Sequence, residues 1–408
     1  MISVDETGSR EKRTRVALLE GDRLMEIYYG HPSQEKIVGN VYKGRVEDVL
    51  PGLGSAFVNI GEKKTLFLSQ GEINDQILIE KGFKPWQGRV PIEKVLRPGQ
   101  LITLQVRRAG IGTKNPQGTT KISLPGRFWV YLPTEDRLGV SRRVESVRER
   151  RRIRRIARAL KKPGEGMIAR TAAQWASKTD LERDYELLTE TWKGVEAAAR
   201  SAKKPRLLYK TMGLVQTILR DRLDPDTKEV IVDSQFFHEK IQMFLDYMRM
   251  SEYKGRVRLY RGKEPLFDAF KIEDQIRQSL ERRVPLAGGG SLIIDETEAL
   301  IAIDVNTGGD IRHRNQEDAI LNTNLEAAVE ISRQLRLRQI SGIIVVDFVD
   351  MENPKHVQIL IDKVKEVLKR DRVPTDFVDM TALGLIEITR KRKGESLSDM
   401  LENAQFDA

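Results

Sequence analysis

Between Ile37 and Ser69, apolar and polar residues alternate in short runs broken by glycine. That period of two predicts strands at Val41–Val46, Ala56–Ile60 and Thr65–Leu68. The same pattern returns at Leu101–Val106 and Thr119–Ser123, with Gly110–Gly118 as a loop between them. Five short strands joined by polar loops predict a small Greek-key barrel of the OB type. Gly71–Gln100 lacks the strand period and carries Pro85, Pro91 and Pro98, so it reads as an insertion into the barrel.

Beyond the barrel the period lengthens. From Arg142 to Lys162 the residues Val144, Val147, Ile153, Ile156, Ala157 and Leu160 recur at helical spacing through a dense arginine run, ending near Pro163 and Gly164. A second long helix is predicted from Lys178 to Ala202, and short strands resume at Glu229–Asp233 and Arg256–Tyr260, which puts a boundary near Pro205–Gly213. In the last third, Leu292–Ile294, Leu300–Val305 and Ile343–Phe348 are apolar enough for buried strands, and a helix over Glu317–Arg338 joins the last two. This is a strand, helix, strand crossover, which makes its strands parallel. Gly288-Gly-Gly290 is read as a hairpin or tight turn, because no Lys-Ser or Lys-Thr follows it as in a phosphate-binding loop.

A chain of 408 residues exceeds what one core usually serves, so two to four compact units are expected. Lys and Arg number 70 against 60 Asp and Glu, a net charge of +10 that suits a polyanionic partner. Cysteine is absent, which excludes disulfides, thiol nucleophiles and thiolate zinc sites, so any metal must sit on oxygen or on one of 4 histidines. The charged N-terminal segment does not read as a signal peptide and no stretch has membrane-spanning length, so a cytoplasmic location is expected.

The candidate chemistry lies in the crossover. Asp304 interrupts the apolar run Ala302-Ile-Asp-Val-Asn306, and Asp347 interrupts Ile344-Val-Val-Asp-Phe-Val-Asp350. A carboxylate there is costly unless something positive compensates it. Both fall near the carboxyl ends of neighbouring parallel strands, where open α/β sheets place their sites. Two carboxylates and the amide oxygen of Asn306 form a hard-oxygen set suited to magnesium, an ion that can polarise a phosphodiester and activate water. Asp350 is expected to orient Asp347. The competing reading is that the aspartates cap strand ends or pair with arginines.

The segments Ile303-Asp-Val-Asn-Thr-Gly308, Asn322-Thr-Asn-Leu-Glu-Ala-Ala328, Arg333-Gln-Leu-Arg-Leu-Arg338, Ile344-Val-Val-Asp-Phe-Val-Asp-Met351 and Gly384-Leu-Ile-Glu-Ile-Thr-Arg390 closely resemble the catalytic region of the bacterial ribonuclease E/G family. The resemblance extends upstream through Leu266-Phe-Asp-Ala-Phe-Lys-Ile-Glu273 and residues 110–120 to Gly39-Asn-Val-Tyr-Lys-Gly44, covering nearly the whole chain in order. It implies a multidomain α/β protein with an inserted OB-type β-barrel and with ribonuclease-H-like and DNase-I-like subdomains. The implied divisions are 1–38 with 214–283 (ribonuclease-H-like), 39–125 (a barrel of the ribosomal S-one type), 126–213 (a 5′-monophosphate sensor) and 284–408 (DNase-I-like and catalytic).

By the resemblance, Asp304 and Asp347 match magnesium-binding aspartates, with manganese able to substitute, and Asn306 helps hold the site. Phe57, Phe67 and Lys114 match RNA-contacting positions. Flat rings beside cations hold unstacked bases at roughly 1–3 kcal/mol per base, although a strand phenylalanine can equally fill a barrel interior. Arg170 and Thr171, with Gly126 and Val130, match the receiver of a terminal monophosphate, a role that Arg suits as a planar bidentate ligand. The arginine run at 148–158 reads equally as a solvated helix face or as a track for an RNA backbone.

Family members carry a Cys-Pro-x-Cys segment after the Thr389-Arg-Lys-Arg392 region, through which two chains share one zinc. This chain has no cysteine, by evolution or because it is a piece of a longer protein, so no zinc is expected. A homodimer through other surfaces stays open, as do RNA-decay partners. The expected activity is magnesium-dependent cleavage of single-stranded, AU-rich RNA with 5′-monophosphorylated ends, in mRNA decay and rRNA or tRNA processing. The alternatives are a non-catalytic RNA-binding protein on the same scaffold and a DNA nuclease.

Overall fold

The computed structural model describes residues 2–5, 14–30, 37–84, 88–110, 114–308, 316–392 and 396–406. Pro85 of the expected insertion and residues 111–113 of the expected loop lie outside them. The chain divides into two compact units. One comprises Met1–Pro32, Asp226–Lys240 and Gly255–Ala408, the other Ser33–Pro225 and Ile241–Lys254.

The first unit holds two sheets. In the smaller, the strands run in the order Val257–Leu259, Val230–Val232, Ile2–Asp5, Thr14–Glu20, Arg23–Gly30. The first three are parallel and the rest antiparallel, so residues 2–30 share a sheet with residues more than two hundred positions away. Val230, Ile231 and Val232 are all fully buried, which fits a parallel strand covered on both faces.

The larger sheet orders its six strands as Arg283–Pro285, Ser291–Glu296, Leu300–Asn306, Gly342–Asp347, Ile386–Arg390 and Thr375–Met380. Only Leu300–Asn306 and Gly342–Asp347 are parallel, joined by the crossover helix Gln316–Leu337. One face packs Leu292, Ile303, Val305, Ile344, Val346 and Ile388 against Ala327, Ile331 and Leu335 of that helix and Leu360, Val364 and Leu368 of Pro354–Lys369. The glycine run forms the expected hairpin, with Gly289 at φ 95° and the Leu286 amide donating to the Gly290 carbonyl. The arginines of the 333–338 motif are structural: Arg333 donates to the Leu24 carbonyl, Arg336 pairs with Glu26, and Arg338 donates to the Glu281 carbonyl.

In the second unit the barrel closes. Val41–Leu50, Ser55–Asn59, Leu66–Ser69, Gln117–Thr119 and Leu101–Arg108 follow one another, and the last strand pairs back onto the first. The pairing of Leu66–Ser69 with Gln117–Thr119 is parallel and the others are antiparallel, an arrangement consistent with an OB-type fold. The fifth strand ends at Thr119, short of the predicted Ser123. Beyond it the Asn74 amide N–H and side chain bond Thr120 and tie in the insertion. Ile73, Ile92, Val95 and Leu96 of the insertion join the barrel core. Gly44 has no room for a side chain: a Cβ there would lie 2.6 Å from Val58 Cγ1 and 2.9 Å from Leu104 Cδ2.

The rest of this unit is a four-stranded sheet, Leu138–Val140, Gly166–Ala169, Trp129–Leu132 and Leu124–Pro125, covered by helices Val147–Leu160 and Lys178–Ser201. The first helix is shorter than predicted. Ser146 caps it by accepting from the Glu149 amide, and it stops at Leu160 before Pro163.

Candidate functional site

The crossover sets the register that matters most. Along the parallel pair Leu300 faces Ile343, and Asp304 faces Asp347 as its direct partner. Asp304 lies two residues from its strand's carboxyl end and Asp347 is the last residue of its own. In both strands the apolar residues on one face are buried, whereas Ala302, Asp304, Asn306, Ile343 and Asp347 are exposed on the other.

This corrects one step of the sequence argument. The strands alternate, and the carboxylates sit on the solvent-facing side, where their charge carries no large desolvation penalty. Ala302 and Ile343 make that face look apolar in sequence and hide the alternation.

The Asn306 side-chain amide donates to Asp304 Oδ2 at 2.6 Å, which turns its carbonyl oxygen away from that carboxylate and leaves it free to face a cation or water. Among the described residues the Asp347 side chain has no hydrogen bond or ion pair, and Asp350 is exposed. Among the described residues neither aspartate is locked to an arginine. Among the described residues no group of three or more His, Asp or Glu side chains is placed to hold a metal. The donor set is therefore two adjacent carboxylates with a nearby amide, which fits a hard cation that retains most of its waters.

Residues without an assigned role in the sequence hold this site in place. Asn324, 0% exposed in the crossover helix, donates from Nδ2 to the Val349 carbonyl at 2.8 Å and accepts the Val349 amide at 3.1 Å. It fixes the backbone just after Asp347. Glu326 accepts the Gly288 amide at 3.1 and 3.0 Å, and Glu317 accepts that of Asn353 at 2.7 Å. For Asn324 the signal was a polar residue on the apolar side of an amphipathic helix.

On the barrel, Phe57 and Phe67 are cross-strand partners, with ring centroids 5.9 Å apart and planes at 66°. Both are half-buried on the outer face, while their neighbours Ala56, Val58, Leu66 and Leu68 fill the interior completely. The interior-filling alternative for the two rings is excluded by that alternation. Lys114 is exposed in the loop that leads to Pro116, whose carbonyl accepts the Phe67 amide at 2.8 Å. Burial pushes the Lys43 ammonium below its usual value, and Arg107 is paired with Glu72.

In the four-stranded sheet, Arg170 Nη1 donates to the Gly126 carbonyl at 2.6 Å and to Asp221 Oδ1 at 2.7 Å, and Thr171 Oγ1 lies 3.0 Å from Ser141 Oγ. Burial works against the Asp221 charge, but hydrogen bonds from Arg220 and Arg170 hold its carboxyl down at about 2. The loop from Gly126 to Trp129 is organised by Asp184, which accepts the amides of Arg127, Phe128 and Trp129 at 3.0, 2.8 and 2.9 Å. Gly126 must be glycine because a Cβ would stand 2.6 Å from Asp184 Oδ2, and its amide donates to the Trp129 carbonyl. Val130 is half-buried on the strand that follows. The structure thus gathers Gly126, Arg170 and Thr171 at one end of the sheet, supported by Asp184, 55 residues from Trp129, and by Asp221, 51 residues from Arg170.

The model of the Ribonuclease E/G family matches residues 123–393. Ribonuclease G of Escherichia coli (strain K12) is 39% identical over 391 residues, covering 96% of this chain and 80% of the relative. Ribonuclease G of Haemophilus influenzae is 39% identical over 392 residues, covering 95% and 79%. Ribonuclease E of Haemophilus influenzae is 35% identical over 393 residues, 96% of this chain but 42% of that longer protein.

Proposed function

We propose that this chain, which belongs to the ribonuclease E/G family and is an endoribonuclease, hydrolyses single-stranded RNA at the paired carboxylates Asp304 and Asp347. The observation that carries the reading is their direct register on adjacent parallel strands, on an open face. Two like charges side by side without a compensating cation repel each other, and a divalent ion removes that repulsion.

The ion is magnesium, with manganese as a substitute. When bound it supplies Lewis-acid polarisation of the phosphodiester and a more acidic water. Asp304 and Asp347 supply the anionic oxygens, and Asn306 orients Asp304 while offering its own carbonyl. Asn324 keeps Asp347 and Asp350 in position, and Asp350 takes part only through water. The cut leaves a 5′-phosphate on the downstream fragment.

The substrate reading rests on the second unit. Phe57 and Phe67 offer ring faces and edges on the outside of the barrel, and Lys114 adds charge beside them, as stacking of splayed bases requires. Arg170, with Thr171 beside it, suits a terminal monophosphate. Because Asp221 and the Gly126 carbonyl already hold Arg170, its guanidinium is pre-oriented, and Gly126 and Val130 shape the wall of that site. Preference for AU-rich, 5′-monophosphorylated RNA and roles in mRNA decay and rRNA or tRNA processing follow from the family reading. A cytoplasmic location is proposed with it, and any homodimer uses surfaces other than a zinc link, because the chain has no cysteine. The sheet that joins residues 2–30 to 230–259 supports a split ribonuclease-H-like subdomain, and the six-stranded sheet supports a DNase-I-like one.

The test is cleavage of matched 5′-monophosphorylated single-stranded RNA and DNA with magnesium, by the wild type, Asp304→Asn and Asp347→Asn. The expected result is RNA cleavage that both substitutions abolish while binding survives. Binding without cleavage by the wild type selects the non-catalytic alternative, and equal cleavage of DNA selects the DNA nuclease.

A further inference from the structure

The helix Val147–Leu160 carries seven arginines and one acid. Two of the arginines are engaged locally: Arg150 donates to the carbonyls of Ser141 and Val144, and Arg152 pairs with Glu149, which is itself buried. Arg151, Arg154, Arg155 and Arg158 differ. All four are exposed, and none of their side chains has a hydrogen bond or ion pair among the described residues. Together they line a shallow depression of about 360 Å³ with no other side chain in its wall.

Their spacing makes neighbours of 151 with 154 and 155, and of 158 with 154 and 155. Like charges at such positions weaken a helix, and the helix's one acid, Glu149, already pairs with Arg152. An uncompensated, geometrically regular set of cations is a surface for an extended polyanion.

From this surface we infer that the four arginines form a track for the sugar-phosphate backbone of the RNA, downstream of its 5′ end. The ordering along the RNA rests on the reading of Arg170 and Thr171 given above. Arg150 and Thr171 both contact Ser141, so the helix begins beside the proposed 5′-end site and the track starts one residue further on. From 151 to 158 the helix rises about 10 Å, at roughly 1.5 Å per residue. That length matches roughly three phosphates of one strand at about 3.4 Å each.

Arginine guanidiniums without interleaved aromatic rings contact phosphates and read no bases, so the track is indifferent to sequence. An anionic membrane is the less suitable partner. Surface-bound helices insert an apolar face, and here Ile153, Ile156 and Ala157 are buried in the protein core.

The experiment measures binding of non-cleavable RNAs by fluorescence anisotropy across a salt series, for the full chain and for R151Q/R154Q/R155Q/R158Q. Glutamine keeps helix propensity close to that of arginine, and circular dichroism with a thermal melt verifies that the variant folds. With an RNA of about 20 nucleotides, losing roughly three phosphate contacts flattens the slope of log K against log salt by about 2. The affinity ratio of wild type to variant then shrinks about 20-fold between about 50 and about 200 mM salt. An RNA of about 2 nucleotides, which at about 3.4 Å each is shorter than the track and cannot run along it from the 5′-end site, shows no such change.

Identical slopes for the two proteins on the long RNA overturn the inference. So does a variant that loses binding to vesicles of anionic phospholipid while binding RNA like the wild type. Running both 5′-hydroxyl and 5′-monophosphate RNAs separates this inference from the reading it rests on. A slope change present with both ends upholds the track, even if Arg170→Gln shows that no 5′-end preference exists.

Discussion

Replacing one of the paired carboxylates should stabilise the metal-free sheet and destabilise it relative to wild type once magnesium is present. Asp347→Asn is the cleaner substitution, since Asp304 also accepts a hydrogen bond from Asn306. Register partners on neighbouring strands stand about 4.8 Å apart. Two unit charges at about 5 Å repel by about 0.8 kcal/mol in bulk water and about 3 kcal/mol at an effective permittivity of about 20. The open face and salt screening place the value near the lower figure, about 1 kcal/mol. A local stability change of that size slows opening-limited amide exchange roughly 5-fold.

Hydrogen exchange read by mass spectrometry on peptides covering 300–306 and 342–348 resolves this locally, without requiring the two units to unfold together. In EDTA, Asp347→Asn should exchange more slowly than wild type. With magnesium at about 100 times its dissociation constant, the wild type gains about 2.7 kcal/mol and the order inverts. Faster exchange of Asp347→Asn in EDTA would refute the reasoning, because it would mean that Asp347 holds its strand through a favourable contact.

Phe57→Ala and Phe67→Ala should each weaken RNA binding by about 1–3 kcal/mol in an anisotropy titration, with little change in melting temperature, because Ala56, Val58, Leu66 and Leu68 fill the barrel without them. Asn324→Ala removes both partners of Val349 and should cost about 2–4 kcal/mol of stability, lowering kcat with KM nearly unchanged as the segment after Asp347 loosens. Asp221 has its folded carboxyl depressed from 3.8 to about 2, so it contributes stability that is present above the unfolded value and is lost as pH falls through the folded one. Asp221→Asn should therefore lose less stability than wild type between those two values in an acid titration of unfolding.

The parts of the architecture written in periodicity were legible in the sequence. Lys178–Ser201 falls within one residue of its expected end, and the crossover of Leu300–Asn306, Gln316–Leu337 and Gly342–Asp347 follows from two apolar runs on either side of a helical period. Parallel pairing was predictable because a helical crossover returns the chain to the same end of the sheet, and it brings Asp304 beside Asp347. The exposed side was hidden because Ala302 and Ile343 are apolar although they face solvent. For the barrel, alternation told that Phe57 and Val58 face opposite sides without telling which side is inside; closure decides it. Asp184 and Asp221 had no signal, since their contacts with residues 126–129 and Arg170 join positions 51 to 57 apart with no period. Long-range polar contacts of this kind depend on tertiary packing and leave no local pattern.

The proposed enzyme depends above all on Asp304 and Asp347 binding one divalent ion together. Titration of the full chain with manganese, followed by electron paramagnetic resonance of the free ion, tests it without relying on turnover. The account predicts a site that saturates in the wild type, is competed by magnesium, and is lost in both Asp304→Asn and Asp347→Asn while RNA affinity in EDTA is retained. Manganese binding by either variant with wild-type affinity would contradict it.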